Sequence, residues 1–145
     1  MAAITKIDAY VYTADVANAG TNGWVYLGIA GREFHLDSTE DDFEQGKVFT
    51  YTLGDGANVK DPAYNDPRSP QLDTDDLDRY PAYLRFEPAG SDPAWCLERV
   101  IVTVNPGSQT PHRFDNPRLV GSSDNQRIWL DQQYGKQVGL KRFDG

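Results

Sequence analysis

The sequence contains one cysteine, two histidines and few basic residues. A lone Cys96 cannot form an intrachain disulfide, and it leaves the redox compartment open. One cysteine and two histidines cannot furnish a four-ligand structural zinc site. No apolar run approaches the roughly 20 residues needed to cross a bilayer as a helix. The opening residues, Met1-Ala2-Ala3-Ile4-Thr5-Lys6, lack the basic-then-apolar order of a secretory signal. Lys and Arg number 14 against 22 Asp and Glu, for a formal net charge of −8. That excess repels phosphate backbones, and no basic stripe interleaved with aromatics is present, so nucleic acid is not an expected partner. Unaided docking on an anionic membrane is disfavoured for the same reason. An acidic surface suits a protein that collects divalent cations, although acidity also serves solubility.

Catalytic signatures are equally scarce. His35 alternates with Phe34 and Leu36, which places its imidazole on the face opposite theirs. His112 follows Pro111 in a loop-like stretch, no serine sits in a Gly-x-Ser-x-Gly turn, and Cys96 lies within an apolar strand. The acidic run Asp73-Thr74-Asp75-Asp76-Leu77-Asp78 fails as an EF-hand. Its fifth position is Leu77, its sixth is Asp78 rather than glycine, and its twelfth is Leu84 rather than glutamate. A helix start capped by Asp73 or Thr74 and bounded by Pro81 accounts for it better. The expectation is a protein that binds rather than catalyses.

What the sequence does have is period-two alternation. Ile7, Ala9 and Val11 alternate with Asp8, Tyr10 and Tyr12, and Val25, Leu27 and Ile29 with Trp24, Tyr26 and Gly28. Ala30-Gly31 offers a tight turn before Phe34 and Leu36 begin the return. Further strands are expected around Phe49–Leu53 and Leu84–Phe86. Trp95 and Leu97 fall on odd positions, whereas Val100, Val102 and Val104 fall on even ones. A flat strand cannot send both sets inward, so a bulge is expected near Glu98-Arg99. Asp55 to Pro81, with four prolines, reads as a long loop, as does Asn105 to Ser123. Ile128 to Leu130 and Val138 to Phe143 read as a closing pair of strands turning at Gln132 to Lys136. The fold expected is an all-β, antiparallel Greek-key-type β-sandwich with long loops and two extra C-terminal strands. It forms a single domain, 1–145, in which 105–145 is a C-terminal extension packing on the rest.

Three segments point to a family. Ala19-Gly20-Thr21-Asn22-Gly23 runs into Trp24-Val25-Tyr26-Leu27. Phe34-His35-Leu36-Asp37 is followed by Asp41-Asp42-Phe43-Glu44-Gln45-Gly46. Asp92-Pro93-Ala94-Trp95-Cys96-Leu97-Glu98-Arg99-Val100 comes third. In this order they resemble, over about Ile4 to Val104, the Gly-Thr-Asp turn, the Leu-Asp and Asn-Asp-Phe-Glu-x-Gly segments, and the Trp-x-Leu-x-x-Val strand of PLAT (polycystin, lipoxygenase, alpha-toxin) domains. Asn22 stands where that family commonly has Asp, and Asp41 where it commonly has Asn. Both departures keep an oxygen donor.

The resemblance implies calcium sites between the loops, with Asn22, Asp41, Asp42, Glu44 and Asp92 as ligands and main-chain oxygen near Gly20 assisting. The bland alternative is that these are solvated loop carboxylates and turn formers. The implied role is a non-catalytic module for calcium-assisted binding to membrane lipid or a protein partner. By alternation Trp24 and Tyr26 share the face opposite Val25 and Leu27, and they are the candidates for ligand or membrane contact. Trp24 beside a calcium loop could enter a lipid interface; covered by other segments, it would be core. Trp95 and Trp129 read as core. A carbohydrate-binding sandwich, with Trp24, Tyr26, Tyr10 or Tyr12 stacking on sugar faces, is the second functional class.

Overall fold

The structure, a computed structural model, describes residues 2–88, 94–116, 127–133 and 135–143. Its strands are β1 (Lys6–Thr13), β2 (Trp24–Ile29), β3 (Arg32–His35), β4 (Val48–Gly54), β5 (Tyr83–Glu87), β6 (Trp95–Val104), β7 (His112–Asp115), β8 (Ile128–Leu130), β9 (Gln137–Gly139) and β10 (Lys141–Arg142). Strand pairing is antiparallel throughout. One sheet runs β10-β7-β6-β1-β4, with β8 also on β6; the other runs β3-β2-β5-β9. The two pack face to face as an all-β sandwich.

Alternation decides what lies between the sheets. Ile7, Ala9 and Val11 of β1 and Val25 and Leu27 of β2 are buried. They meet Phe34, Leu36, Leu84, Phe86, Trp95 and Leu97 in one cluster. β6 keeps both halves of its apolar set inward through a register shift. Tyr12 faces Arg99 while Thr13 faces Leu97, so Glu98 is the extra residue. The bulge lets Trp95 reach the core, where its indole N–H donates to Thr13 Oγ1 at 2.9 Å.

The long loop after β4 is fastened to both sheets. Ile4 N–H donates to Leu72 O and Thr74 N–H to Ala2 O. Arg32 donates to the carbonyls of Tyr64, Asp66 and Ser69, and Asn65 Oδ1 accepts the His35 N–H. The exposed edge of β4 is closed by Asn58, whose side chain accepts from Thr52 N–H and donates to Thr50 O. The acidic run forms a 3₁₀ turn, Thr74–Leu77, capped by Asp73.

The C-terminal region departs from the expectation. It contributes four strands rather than two, and β7 lies in the stretch read as loop. Nor do β8 and β9 form a closing hairpin: Leu130 stands opposite Trp95 in one sheet, and Val138 opposite Leu84 in the other. Each inward residue fills its own sheet's face, so the intervening turn crosses the sandwich. Trp129, read as core, is half-exposed, because Leu130 takes the inward position and alternation turns its neighbour out.

Candidate functional site

At the end of the sandwich where β2 begins, two loops meet, and backbone fit brings them together. A Cβ on Gly20 would lie 3.0 Å from Gln45 N and 3.2 Å from Phe43 O. Glycine therefore lets the 18–23 loop seat closely on residues 43–45, where a larger residue would push the two backbones apart by a few tenths of an ångström. Thr21 N–H then donates to Phe43 O at 3.1 Å. Phe43 adopts a left-handed backbone, φ 61°, which a bulky residue rarely tolerates. Its ring is held in the core against Tyr51 and Trp95, with centroids at 5.6 and 5.3 Å, and this packing offsets the strain.

Asp42 organises the loop ahead of Phe43. Its Oδ2 accepts the Ser38 N–H at 2.8 Å; its Oδ1 accepts Ser38 Oγ–H and the buried Tyr51 hydroxyl, both at 2.7 Å. Burial opposes ionisation of Asp42, but the Ser38 and Tyr51 hydrogen bonds outweigh it and hold the carboxyl below its ordinary value. Asp37 is hydrogen-bonded to Asp42. Burial first, then that bond, pushes the Asp37 carboxyl upward, with Lys60 at 3.8 Å opposing. Two neighbouring carboxyl groups therefore share the site unequally, Asp42 ionised first and Asp37 favouring its proton.

Around them is a cleft of about 190 Å³ lined by five acidic residues, Asp37, Glu40, Asp41, Asp42 and Glu44, with Asn22, His35 and Trp24 at its sides. Glu40 is paired with Lys47 at 2.8 Å. Asn22, Asp41 and Glu44 are exposed, and their side chains have no hydrogen-bond or ion-pair partner among the described residues. Trp24 is 52% exposed at the cleft's lip, its ring edge-on to His35 at 6.4 Å.

The structure thus gathers Asn22, Asp41, Asp42, Glu44 and Trp24 at one cleft, with Gly20 at the seam of the two loops. Asp92 lies outside the described residues. Tyr26 is separate. His35 stacks on its ring at 5.0 Å and the Arg85 guanidinium lies over it at 4.3 Å, from the strands on either side. Arg85 is in turn held by Glu33 and Glu87. Asp37 and Glu40 are cleft residues that sequence reading did not single out as donors. Asp37 stood within the Leu-Asp segment and was open to recognition there; Glu40 carried no signal.

Every acidic or amide donor in the cleft offers oxygen, the chemistry of a hard cation such as calcium. Among the described residues, no three His, Cys, Asp or Glu side chains converge as they stand to hold a metal ion. Both oxygens of Asp42 already accept hydrogen bonds, so the donors free to turn toward a cation are the exposed ones.

No protein-family model matches the chain, and no curated protein sequence does. Solved structures do. The alpha toxin from Clostridium absonum aligns over 97% of this chain and 32% of its own, with a TM-score of 0.60 and 22% identity. The Clostridium perfringens alpha-toxin aligns over 96% of this chain and 32% of its own, with a TM-score of 0.58 and 21% identity. Coral 8R-lipoxygenase, a protein described by calcium activation via a C2-like domain, aligns over 94% of this chain and 17% of its own. Its TM-score is 0.56 and its identity 22%. The chain thus spans about a third of the toxins and about a sixth of the lipoxygenase. What is shared is the fold: this is a PLAT-like β-sandwich. The alignment takes in the C-terminal strands as well as the segments of sequence resemblance.

Proposed function

We propose that the chain is a non-catalytic binding module whose acidic loop end takes up calcium and docks through Trp24 on a membrane lipid headgroup surface or a protein partner. The observation that carries this reading is the half-exposed Trp24 at the lip of a cleft lined by five carboxylates and the Asn22 amide, with His35 the one nitrogen donor at its side. Large aromatics beside a charged rim suit an interface that is apolar at one end and wet at the other. The exposed, unpaired side chains of Asn22, Asp41 and Glu44 would supply the adjustable ligands, with Asp37 and Asp42 behind them. Each ion bound would raise the formal net charge of −8 by two, lowering the repulsion from an anionic surface. Among the described residues no helix is long and apolar enough to cross a membrane. The likeness to proteins of which this chain spans only a part supports a binding role rather than an independent reaction.

A sugar platform on the same face is less well supported, because both sides of the Tyr26 ring are covered. The test is calcium titration by calorimetry, with vesicle co-sedimentation in millimolar calcium and in chelator. Wild type should bind calcium and sediment with phosphatidylserine vesicles only when calcium is present. An Asp41→Asn/Glu44→Gln variant should lose both while melting no lower than wild type in chelator, because it also loses the repulsion between the two acids. At free calcium about a hundred times the dissociation constant, wild type should gain about 2.7 kcal/mol. Identical melting of wild type in the two buffers refutes the calcium reading.

A further inference from the structure

Asn22-Gly23 is the one Asn-Gly pair in the sequence, and it stands on the wall of the acidic cleft. We propose that Asn22 is a site of spontaneous deamidation, by which the protein adds a carboxylate to its own cleft. This deepens the cation-binding reading and rests on it for its consequence, not for its chemistry.

The reaction needs an asparagine whose side-chain amide is free to be attacked and a following residue that does not obstruct the attack. Asn22 meets the first condition: it is exposed, lies outside any strand, and its side chain has no hydrogen-bond partner among the described residues. Asn18 is exposed as well, but it precedes Ala19, which carries a side chain, is buried, and donates its N–H to Val16 O at 3.2 Å. The remaining described asparagines are held or blocked. Asn58 is bound at both ends of its amide to β4, Asn65 to His35 and Asp61, and Asn105 to Thr5 and Ala3. Asn105 and Asn116 also precede proline, which has no N–H to lose.

The second condition is fixed by packing. A Cβ at position 23 would overlap the Phe86 ring, so the fold requires glycine there and cannot shield Asn22 with a bulkier neighbour. The Gly23 N–H makes one bond, to Thr21 Oγ1 at 3.1 Å, and gives it up when it reacts. The Gly23 nitrogen then attacks Asn22 Cγ. A C–N bond forms, the side-chain nitrogen leaves as ammonia carrying the proton lost from Gly23, and a succinimide ring results. Water opens the ring at Cγ to give aspartate, or at the Asn22 main-chain carbonyl carbon to give isoaspartate. Either product places a new negative charge beside Asp41 and Glu44. Asparagine is a recognised point of thermal lability in proteins, and here the labile position is also a candidate ligand. Calcium sites are tuned by the number of charged ligands, so the product should bind the ion more tightly.

The experiment ages the intact protein in warm, mildly alkaline buffer and maps its peptides by mass. It also titrates calcium into Asn22→Asp and into Asn22→Gln, whose longer side chain cannot close the five-membered ring. The expected results are a gain of one dalton confined to Asn22, with aspartate and isoaspartate forms resolved, while Asn58 and Asn65 stay intact. A more acidic species should appear on ion exchange, and calcium affinity should be roughly tenfold higher in Asn22→Asp than in Asn22→Gln. An Asn22 that persists while a synthetic peptide of the same sequence converts overturns the proposal. Equal, measurable calcium affinity in the two variants overturns its consequence for the cleft. Absence of calcium binding in both variants, with conversion still seen at Asn22, overturns the cation reading and leaves the modification site standing.

Discussion

Replacing Tyr51 by phenylalanine would remove a single hydroxyl from the link between the core and the acidic loop. Tyr51 is 1% exposed, and its ring packs against Phe43 and Phe49, so phenylalanine keeps the shape and the apolar contacts. What is lost is the 2.7 Å hydrogen bond to Asp42 Oδ1. A hydrogen bond to a charged group contributes about 1.5–3 kcal/mol. Asp42 retains both bonds from Ser38 and is only partly buried, which places the expected loss at the lower end, about 1.5–2 kcal/mol. For a domain of this size that is a fall of roughly 3–8 °C in melting temperature. The loss should depend on pH. Asp42 ionises more readily in the folded state, so its contribution is full above the ordinary carboxylate range and disappears as pH falls through its lowered folded value. Urea denaturation of wild type and variant, in chelator, at neutral and at acid pH, measures both quantities. A loss below about half a kilocalorie at neutral pH, the size of a surface change, would refute Asp42 as the loop's anchor. A loss unchanged in acid would refute the charge assignment.

Two further outcomes are expected. Asp37 carries a raised carboxyl, so the stability tied to its proton is full at low pH and falls as pH rises through its raised folded value. Asp37→Asn keeps a donor toward Asp42 and should therefore melt progressively higher than wild type, in chelator, from acid to neutral pH; a constant difference argues against the shared proton. Trp24→Ala should abolish vesicle binding with a stability change within about half a kilocalorie, whereas Tyr26→Ala should destabilise without abolishing binding. The reverse pattern would move the contact surface from the loop end to the sheet face.

Most of the sandwich was legible because its information is local. The even-to-odd switch between Val100 and Leu97 is a statement about one strand, and it requires the bulge that the register shows at Glu98. The C-terminal strands were less legible because their meaning is not local. Ile128 to Leu130 and Val138 to Phe143 each read as strand-like, yet nothing in either segment says which sheet it joins. That choice is made by the vacant edges left by β5 and β6, a property of the assembled fold. Trp129 shows the same limit. In a three-residue strand either parity is open to sequence reading, and burial of Leu130 against the core decided it.

The site divides along the same line. The residues of the 19–24 and 41–46 segments were legible together because the turn chemistry and the carboxylates are written consecutively. Their difference in role was not. Asp41, Asp42 and Glu44 look equivalent in sequence, yet one is an internal anchor and two face solvent. What separates them is Tyr51, a residue nine positions on from Asp42, whose hydroxyl reaches that carboxylate alone. An acid fixed by three hydrogen bonds holds the loop's shape with or without a cation, whereas unpaired acids repel one another until a cation arrives. Anchoring by Asp42, with Phe43 strained beside it, therefore gives a cleft whose frame is preorganised and whose rim is adjustable. Such a division lets a binding loop change its ligands, by ion uptake or by the chemistry of Asn22, without unmaking the fold beneath it.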